Sequence, residues 1–263
     1  MLYEPYETEI SQGVLSSVLA ALKSPSCLLG GWAVYLTVNT AFYARHGRNY
    51  IGSRDIDLGF HLDADASCNE INTSDFASAL RILESQQFEL ISYRLLKHYD
   101  VQTRNPLSRE EARKKHSHEM FALYVDLIVD NIPKPARETV GFTPIDEPLL
   151  SYVFERNAAV LSKILGASIL LPFPEILIAT KVRSILTREE GHKRIKDLAD
   201  IYALAWYAGV QIVELRKRLE SILRRDETQA VFNQMNAGDF TKAAQATSVE
   251  SDEIRQVLTA IMS

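Results

Sequence analysis

Only two cysteines, Cys27 and Cys68, occur in 263 residues. That is too few for a disulfide framework, and no CxxC pair exists to hold zinc. A reducing compartment such as the cytoplasm fits this usage. Positive charge is also short. The 29 Lys and Arg against 34 Asp and Glu leave a net charge of −5, which excludes a uniformly basic nucleic-acid binder but allows local basic segments to hold phosphates. Uninterrupted hydrophobic runs are missing: the most apolar stretch, ILGASILLPFPEILIA from Ile164, is broken by Pro172 and Pro174 and runs into a lysine-bearing helix pattern. No membrane span or membrane partner is expected from it. The start, MLYEPYETEI, is acidic and has no positive region ahead of an apolar core, so neither a signal peptide nor a transit peptide is expected. No P-loop, GxGxxG, HExxH or GxSxG motif occurs, and the six histidines follow no metal-ligand spacing. Internal repeats and low-complexity tracts are absent too.

What is present is enough for a substantial core. A chain of this length that is 46 % hydrophobic buries roughly 75 % of the surface its unfolded form exposes, as one large domain or two small ones. Apolar Ile10, Val14, Leu15, Val18, Leu19 and Leu22 recur at helical spacing and predict a helix from Glu7 to Lys23. SCLLGG reads as a short buried strand ending in two glycines, and Trp32 to Tyr43 as the helix that follows. A strand is expected over Asp55 to His61, a helix from about Asp75 to Glu84, and a strand at FELISY. Residues 102–118 carry five Lys or Arg against two Glu and read as a surface insertion, solvated or in contact with a polyanion. EMFALYVDLIVD is the clearest strand, with Asp126 near its middle. Prolines mark an irregular connector after Asn131, one or two strands with a helix follow, and the chain from Pro174 onward is helical by periodicity. The expectation is an α+β fold in two parts, an α/β domain over 1–171 and a helical domain over 172–263.

The nine residues GSRDIDLGF place two aspartates one residue apart. Side chains alternate faces along a strand, so Asp55 and Asp57 leave the same face while Ile56 and Leu58 enter the core. Two like charges so close repel, and a divalent cation with oxygen preference, such as Mg²⁺ or Mn²⁺, turns that repulsion into attraction. Asp126, flanked by Val125 and Leu127, is a third carboxylate on a strand able to lie beside the first. Three acids on adjacent strands suit a two-metal site for phosphoryl or nucleotidyl transfer. Gly30 and Gly31, at a strand-to-helix turn, let the backbone approach a triphosphate and aim a helix N-terminus at it. Each part has a plainer reading: DxD as a surface feature, the glycine pair as a tight turn, Asp126 as a strand acid paired with an arginine, and Trp32 as core packing rather than base stacking.

Taken together, Gly30-Gly31, Asp55-Ile56-Asp57 and Asp126 resemble, in order, the signature of the DNA polymerase β-like nucleotidyltransferase superfamily. Within it, LLGGWAVYL, GSRDIDLGF and PEILIATKVRSILTREEGHKRIKDLADIYAL are similar to the AbiEii/AbiGii-type nucleotidyltransferases, toxin components of type IV toxin–antitoxin and abortive-infection systems. The resemblance implies a mixed-sheet polymerase β-like core with a C-terminal helical region, and transfer of a nucleoside monophosphate from a nucleoside triphosphate. It implies metal ligation by Asp55, Asp57 and Asp126, and places Ser53 and Arg54 where the loop nears the triphosphate. It further implies that Lys181 contacts phosphates and that Asp197 assists catalysis or orients that lysine, with Asp200 one turn further on. RNA such as tRNA is an implied acceptor and a cognate antitoxin an implied partner. From the residues alone, Lys181 also reads as an exposed solubilising lysine on the polar side of its helix, and Asp197 and Asp200 as partners of Lys193 and Lys196. GGWAVY also resembles the opening of aminoglycoside and lincosamide nucleotidyltransferases, and a non-catalytic nucleotide- or partner-binding protein of the same fold is the third reading.

Overall fold

The computed structural model describes residues 2–22, 24–188 and 191–262. Lys23, the expected end of the first helix, and Glu189-Glu190, inside the late helical motif, lie outside the described residues. In chain order the elements begin with α1 (Pro5–Ala21), β1 (Ser26–Leu28), α2 (Gly30–His46), β2 (Ile56–Phe60), α3 (Cys68–Thr73) and α4 (Asp75–Ser85). They continue with β3 (Glu89–Ile91), β4 (Arg94–Asp100), α5 (Arg109–Arg113), a 3₁₀ turn (Ser117–Glu119), β5 (Met120–Val129), α6 (Ala136–Val140), β6 (Ile145–Asp146) and α7 (Leu150–Phe154). The hairpin strands β7 (Ala159–Ile164) and β8 (Ala167–Pro172) precede the helices α8 (Pro174–Thr187), α9 (Gly191–Tyr207), α10 (Ile212–Glu220), α11 (Arg225–Gln234), α12 (Ala237–Thr247) and α13 (Ser251–Met262). No described helix is long and apolar enough to cross a membrane.

The chain forms two compact units. One comprises Glu4–Gly31 and Ser53–Leu171, the other Met1–Tyr3, Trp32–Gly52 and Pro172–Ser263. The later part of the second unit begins at Pro172, and Trp32–Gly52 groups with it.

The first unit carries one mixed sheet in the order β3-β4-β5-β2-β1-β8-β7, with β6 pairing β5. Strand β2 runs parallel to β5 and antiparallel to β1. Its sequence explains its central place: Ile56 and Leu58 are fully buried, as are Leu123, Val125 and Leu127 of β5. Apolar residues on both strands leave water together, at roughly 25 cal/mol per Å² of apolar surface. The strand β4, not anticipated in the sequence, joins β3 through the two residues Ser92-Tyr93, and Ser92 takes a left-handed φ of 63°.

The second unit is helical. Ile195, Leu198, Ile201, Tyr202 and Leu204 of α9 are buried, as are Ile176, Ile178, Val182 and Ile185 of α8, so the periodic apolar faces meet as expected. Trp32 is 1 % exposed, which makes it a core residue.

Candidate active site

Strand register sets two carboxylates of the first unit side by side. Asp57 lies opposite Asp126 across the parallel pair β2–β5, one step beyond Ile56 opposite Val125. Asp55 stands just ahead of β2, two residues before Asp57 and on the same face by alternation. Asp126 is buried, and Asp55 and Asp57 are half-buried.

The glycine turn meets these acids. The Leu29 amide donates to the Asp57 carbonyl at 2.9 Å as the chain leaves β1. Gly30 follows with φ +61°, and a Cβ on it would stand 1.8 Å from Asp57 Oδ2 and 2.7 Å from Asp57 Cγ. The Asp57 carboxylate therefore occupies the space a side chain at position 30 would fill. Gly31 continues into α2 and is buried. Ser53 Oγ donates to the Asp55 carbonyl at 2.9 Å, which ties the loop to the start of the strand. Arg54 Nη2 lies 3.2 Å from Glu7 Oε1 of α1, with its guanidinium 5.3 Å from the Phe121 ring centroid. Arg54 thus serves the packing of α1 on the sheet.

The residue that sequence reasoning missed is Arg94, the first residue of β4. The antiparallel pair β4–β5 sets Leu95 opposite Val125, which carries Arg94 alongside Asp126. Its Nε and Nη2 each donate to one Asp126 oxygen at 2.7 Å, a bidentate fork, and Nη2 lies 3.5 Å from Asp55 Oδ2. The guanidinium stacks 4.2 Å from the Tyr124 ring centroid. Burial works against its charge, but Asp126, then Asp55 and Asp57, outweigh that and raise its pKa above the ordinary arginine value. The plainer reading of Asp126, a strand acid paired with an arginine, describes this contact. Among the described residues no three His, Cys, Asp or Glu side chains converge as a metal-holding group. Asp126 faces Arg94, and the acids and the arginine together sum to −2 in formal charge.

Lys181, Asp197 and Asp200 lie in the other unit. Lys181, expected on the polar side of α8, is instead buried, with Nζ 2.6 Å from Asp197 Oδ1 and 2.9 Å from Asp200 Oδ2. The apolar face of α8 is wider than the spacing suggested because α9 supplies two buried carboxylates to meet the ammonium. Arg188 Nε lies 3.1 Å from Asp197 Oδ2, Lys196 Nζ pairs with Asp200 Oδ1, and the Tyr50 hydroxyl donates to Asp200 Oδ1 at 2.9 Å. Burial lowers the Lys181 pKa, yet Asp197 and Asp200 reverse this and hold it above the ordinary lysine value. Lys196 goes the other way: burial depresses it despite Asp200. For Asp200, burial would raise the pKa, but Lys181 and Lys196 hold it below the usual carboxylate range. The expected pairing of Asp200 with Lys196 is present, and Asp197 takes Lys181 and Arg188.

Residues 102–118 lie largely at the surface, and some of their basic groups have acidic neighbours within the same unit. Lys115 lies 2.6 Å from Asp100, Arg104 2.5 Å from Glu9 and Arg109 3.4 Å from Glu89.

No protein-family description matches this chain, and no curated protein matches it. Among solved structures it is similar to an antigenic nucleotidyltransferase-like protein from Paracoccidioides brasiliensis, at 17 % identity and a TM-score of 0.38, over 86 % of this chain and 92 % of that one.

Proposed function

We propose that this chain is a metal-dependent nucleotidyltransferase that moves a nucleoside monophosphate from a nucleoside triphosphate to an acceptor hydroxyl. The supporting observation is a meeting at one point of one sheet: Asp57 and Asp126 in register, Asp55 at the head of the same strand, and the Gly30 backbone against the Asp57 carboxylate. Hard oxygen donors on one strand face suit Mg²⁺ or Mn²⁺, since Mg²⁺ commonly takes one or two carboxylates and completes its shell with water and substrate phosphates. Asp55 and Asp57 are the residues that would hold it, with Asp126 beside them. A bound ion there would supply charge neutralisation at the triphosphate and polarisation of the acceptor hydroxyl.

The chain's own residues act by position and charge. Gly30 has no side chain, which leaves the Asp57 carboxylate its place beside the turn. Arg94 fixes the orientation of Asp126 and lies near Asp55. Strand pairing holds the acids before any substrate arrives, so little reorganisation accompanies reaction. In that reaction the acceptor hydroxyl gives up its proton to solvent, its oxygen bonds to the α-phosphorus, the bond from that phosphorus to the bridging oxygen breaks, and pyrophosphate leaves. We further propose RNA, such as a tRNA end, as the acceptor and a toxin-like role held in check by an antitoxin; an aminoglycoside-type small molecule is the rival acceptor.

The test is divalent-dependent pyrophosphate release from each nucleoside triphosphate, with total RNA, cell protein and aminoglycosides as acceptors. Turnover that disappears in Asp57→Ala, with the fold intact by circular dichroism, is the expected result. Absence of turnover with every triphosphate and acceptor would overturn the enzyme reading. One observation favours a second reading, nucleotide binding without catalysis: Asp126 is already committed to Arg94. Triphosphate binding by calorimetry with no pyrophosphate release would decide for it.

A further inference from the structure

Asp126 is the third acid of the site, and both of its oxygens accept hydrogen bonds from one side chain at 2.7 Å. That side chain is set by the backbone. Arg94 enters β4 alongside Asp126, in line with the pairing of Leu95 with Val125, and Asp126 itself stands opposite Asp57. Three neighbouring strands therefore deliver Arg94, Asp126 and Asp57 in a row. The guanidinium is held from below by the Tyr124 ring at 4.2 Å, and its side chain is 24 % exposed. Its reach to Asp55, 3.5 Å from Nη2, makes it the shared counter-charge of two acids.

Building on the nucleotidyltransferase reading, we propose that Arg94 stands in for the second metal ion, so that this site takes a single divalent cation at Asp55 and Asp57. A second ion on Asp126 would sit against a guanidinium that stays protonated at any working pH, and like charges so close repel. The fork also matches a carboxylate in a way a lysine cannot, so the planar group orients Asp126 as well as neutralising it.

Mn²⁺ alone, titrated into the 263-residue chain by calorimetry and electron paramagnetic resonance, reads the number of bound ions without turnover. Wild type is expected to bind one, and Arg94→Gln is expected to bind two. Arg94→Met, which keeps the packing over Tyr124, replaces the Gln variant should that one not fold. Asp57→Asn is expected to weaken the wild-type site by tenfold or more. Two ions in wild type, or one ion in both Arg94 variants, would overturn the proposal. No Mn²⁺ binding by wild type or either variant would overturn the metal-dependent reading beneath it as well.

Discussion

Replacing Gly30 by alanine tests whether the glycine turn exists for the aspartate behind it. Two terms add. The left-handed φ of +61° costs a residue with a Cβ roughly 1–2 kcal/mol. The new methyl would also stand 1.8 Å from Asp57 Oδ2 and 2.7 Å from Cγ, so the carboxylate must turn away. Because Asp57 is a short side chain at the rim of the site, that movement costs only about 0.5–1.5 kcal/mol in rotamer strain. The expected loss of stability is thus about 1.5–3.5 kcal/mol, read by urea denaturation, and the fold should survive it. Function should not, because the displaced carboxylate is the proposed ligand. Mn²⁺ affinity should fall by about tenfold or more, by analogy with the cost of disturbing the orientation of metal ligands. Gly47→Ala is the control: its φ is also left-handed, at +67°, but no atom lies within 4 Å of the added Cβ. It should cost about 1–2 kcal/mol and leave Mn²⁺ binding unchanged. A Gly30→Ala protein with wild-type Mn²⁺ affinity and pyrophosphate release would refute the link between the turn and Asp57.

The buried charges of the helical unit make separate expectations. Lys181→Met removes the ammonium that Asp197 and Asp200 share and leaves Asp197 to Arg188 and Asp200 to Lys196 and Tyr50, so it should cost up to about 3 kcal/mol by urea denaturation, whereas Lys196→Met removes an ammonium that burial already disfavours and should cost less; the reverse order would show the network to be misread. Asp200, with its folded pKa depressed, contributes stability that is present above its unfolded value of about 3.9 and is lost as the pH falls through the lower folded value, so melting followed between pH 5 and pH 2 should show acid destabilisation that Asp200→Asn reduces. Lys181, with its folded pKa raised, contributes stability that is complete below about pH 10.4 and is lost only at higher pH, so no alkaline loss from this pair is expected at pH 9. Cys27 is buried with its thiol pKa pushed up, while Cys68 is exposed, so native alkylation read by mass spectrometry should mark Cys68 alone.

How much of this was legible in the sequence follows from the range of each interaction. The strand–glycine–helix unit and the DxD strand were legible because alternation and helical spacing are local. Strand β4 was not: Arg94, Lys97 and His98 interrupt its apolar pattern, and the turn before it, Ser92-Tyr93, has neither Gly nor Asn to mark it. The strand pattern of FELISY runs on into that turn, so nothing in the sequence marks the arginine beside Asp126. Lys181 was misplaced for a related reason. Helical spacing ranks a lysine as polar, and only the carboxylates of α9 make its burial affordable.

By itself the sequence determined which residues alternate, which spiral, where two glycines end a strand, and that Asp55 and Asp57 share a face, since each follows from backbone geometry within a few residues. The tertiary structure alone decided that β5 lies parallel to β2 with Asp126 opposite Asp57, and that β4 lies on the other side of β5 with Arg94 at that same level. Strand order and register arise from burying apolar faces against partners far along the chain, and no local pattern encodes which partner arrives. That Asp126 meets Arg94 on one side and Asp57 on the other is a property of that register.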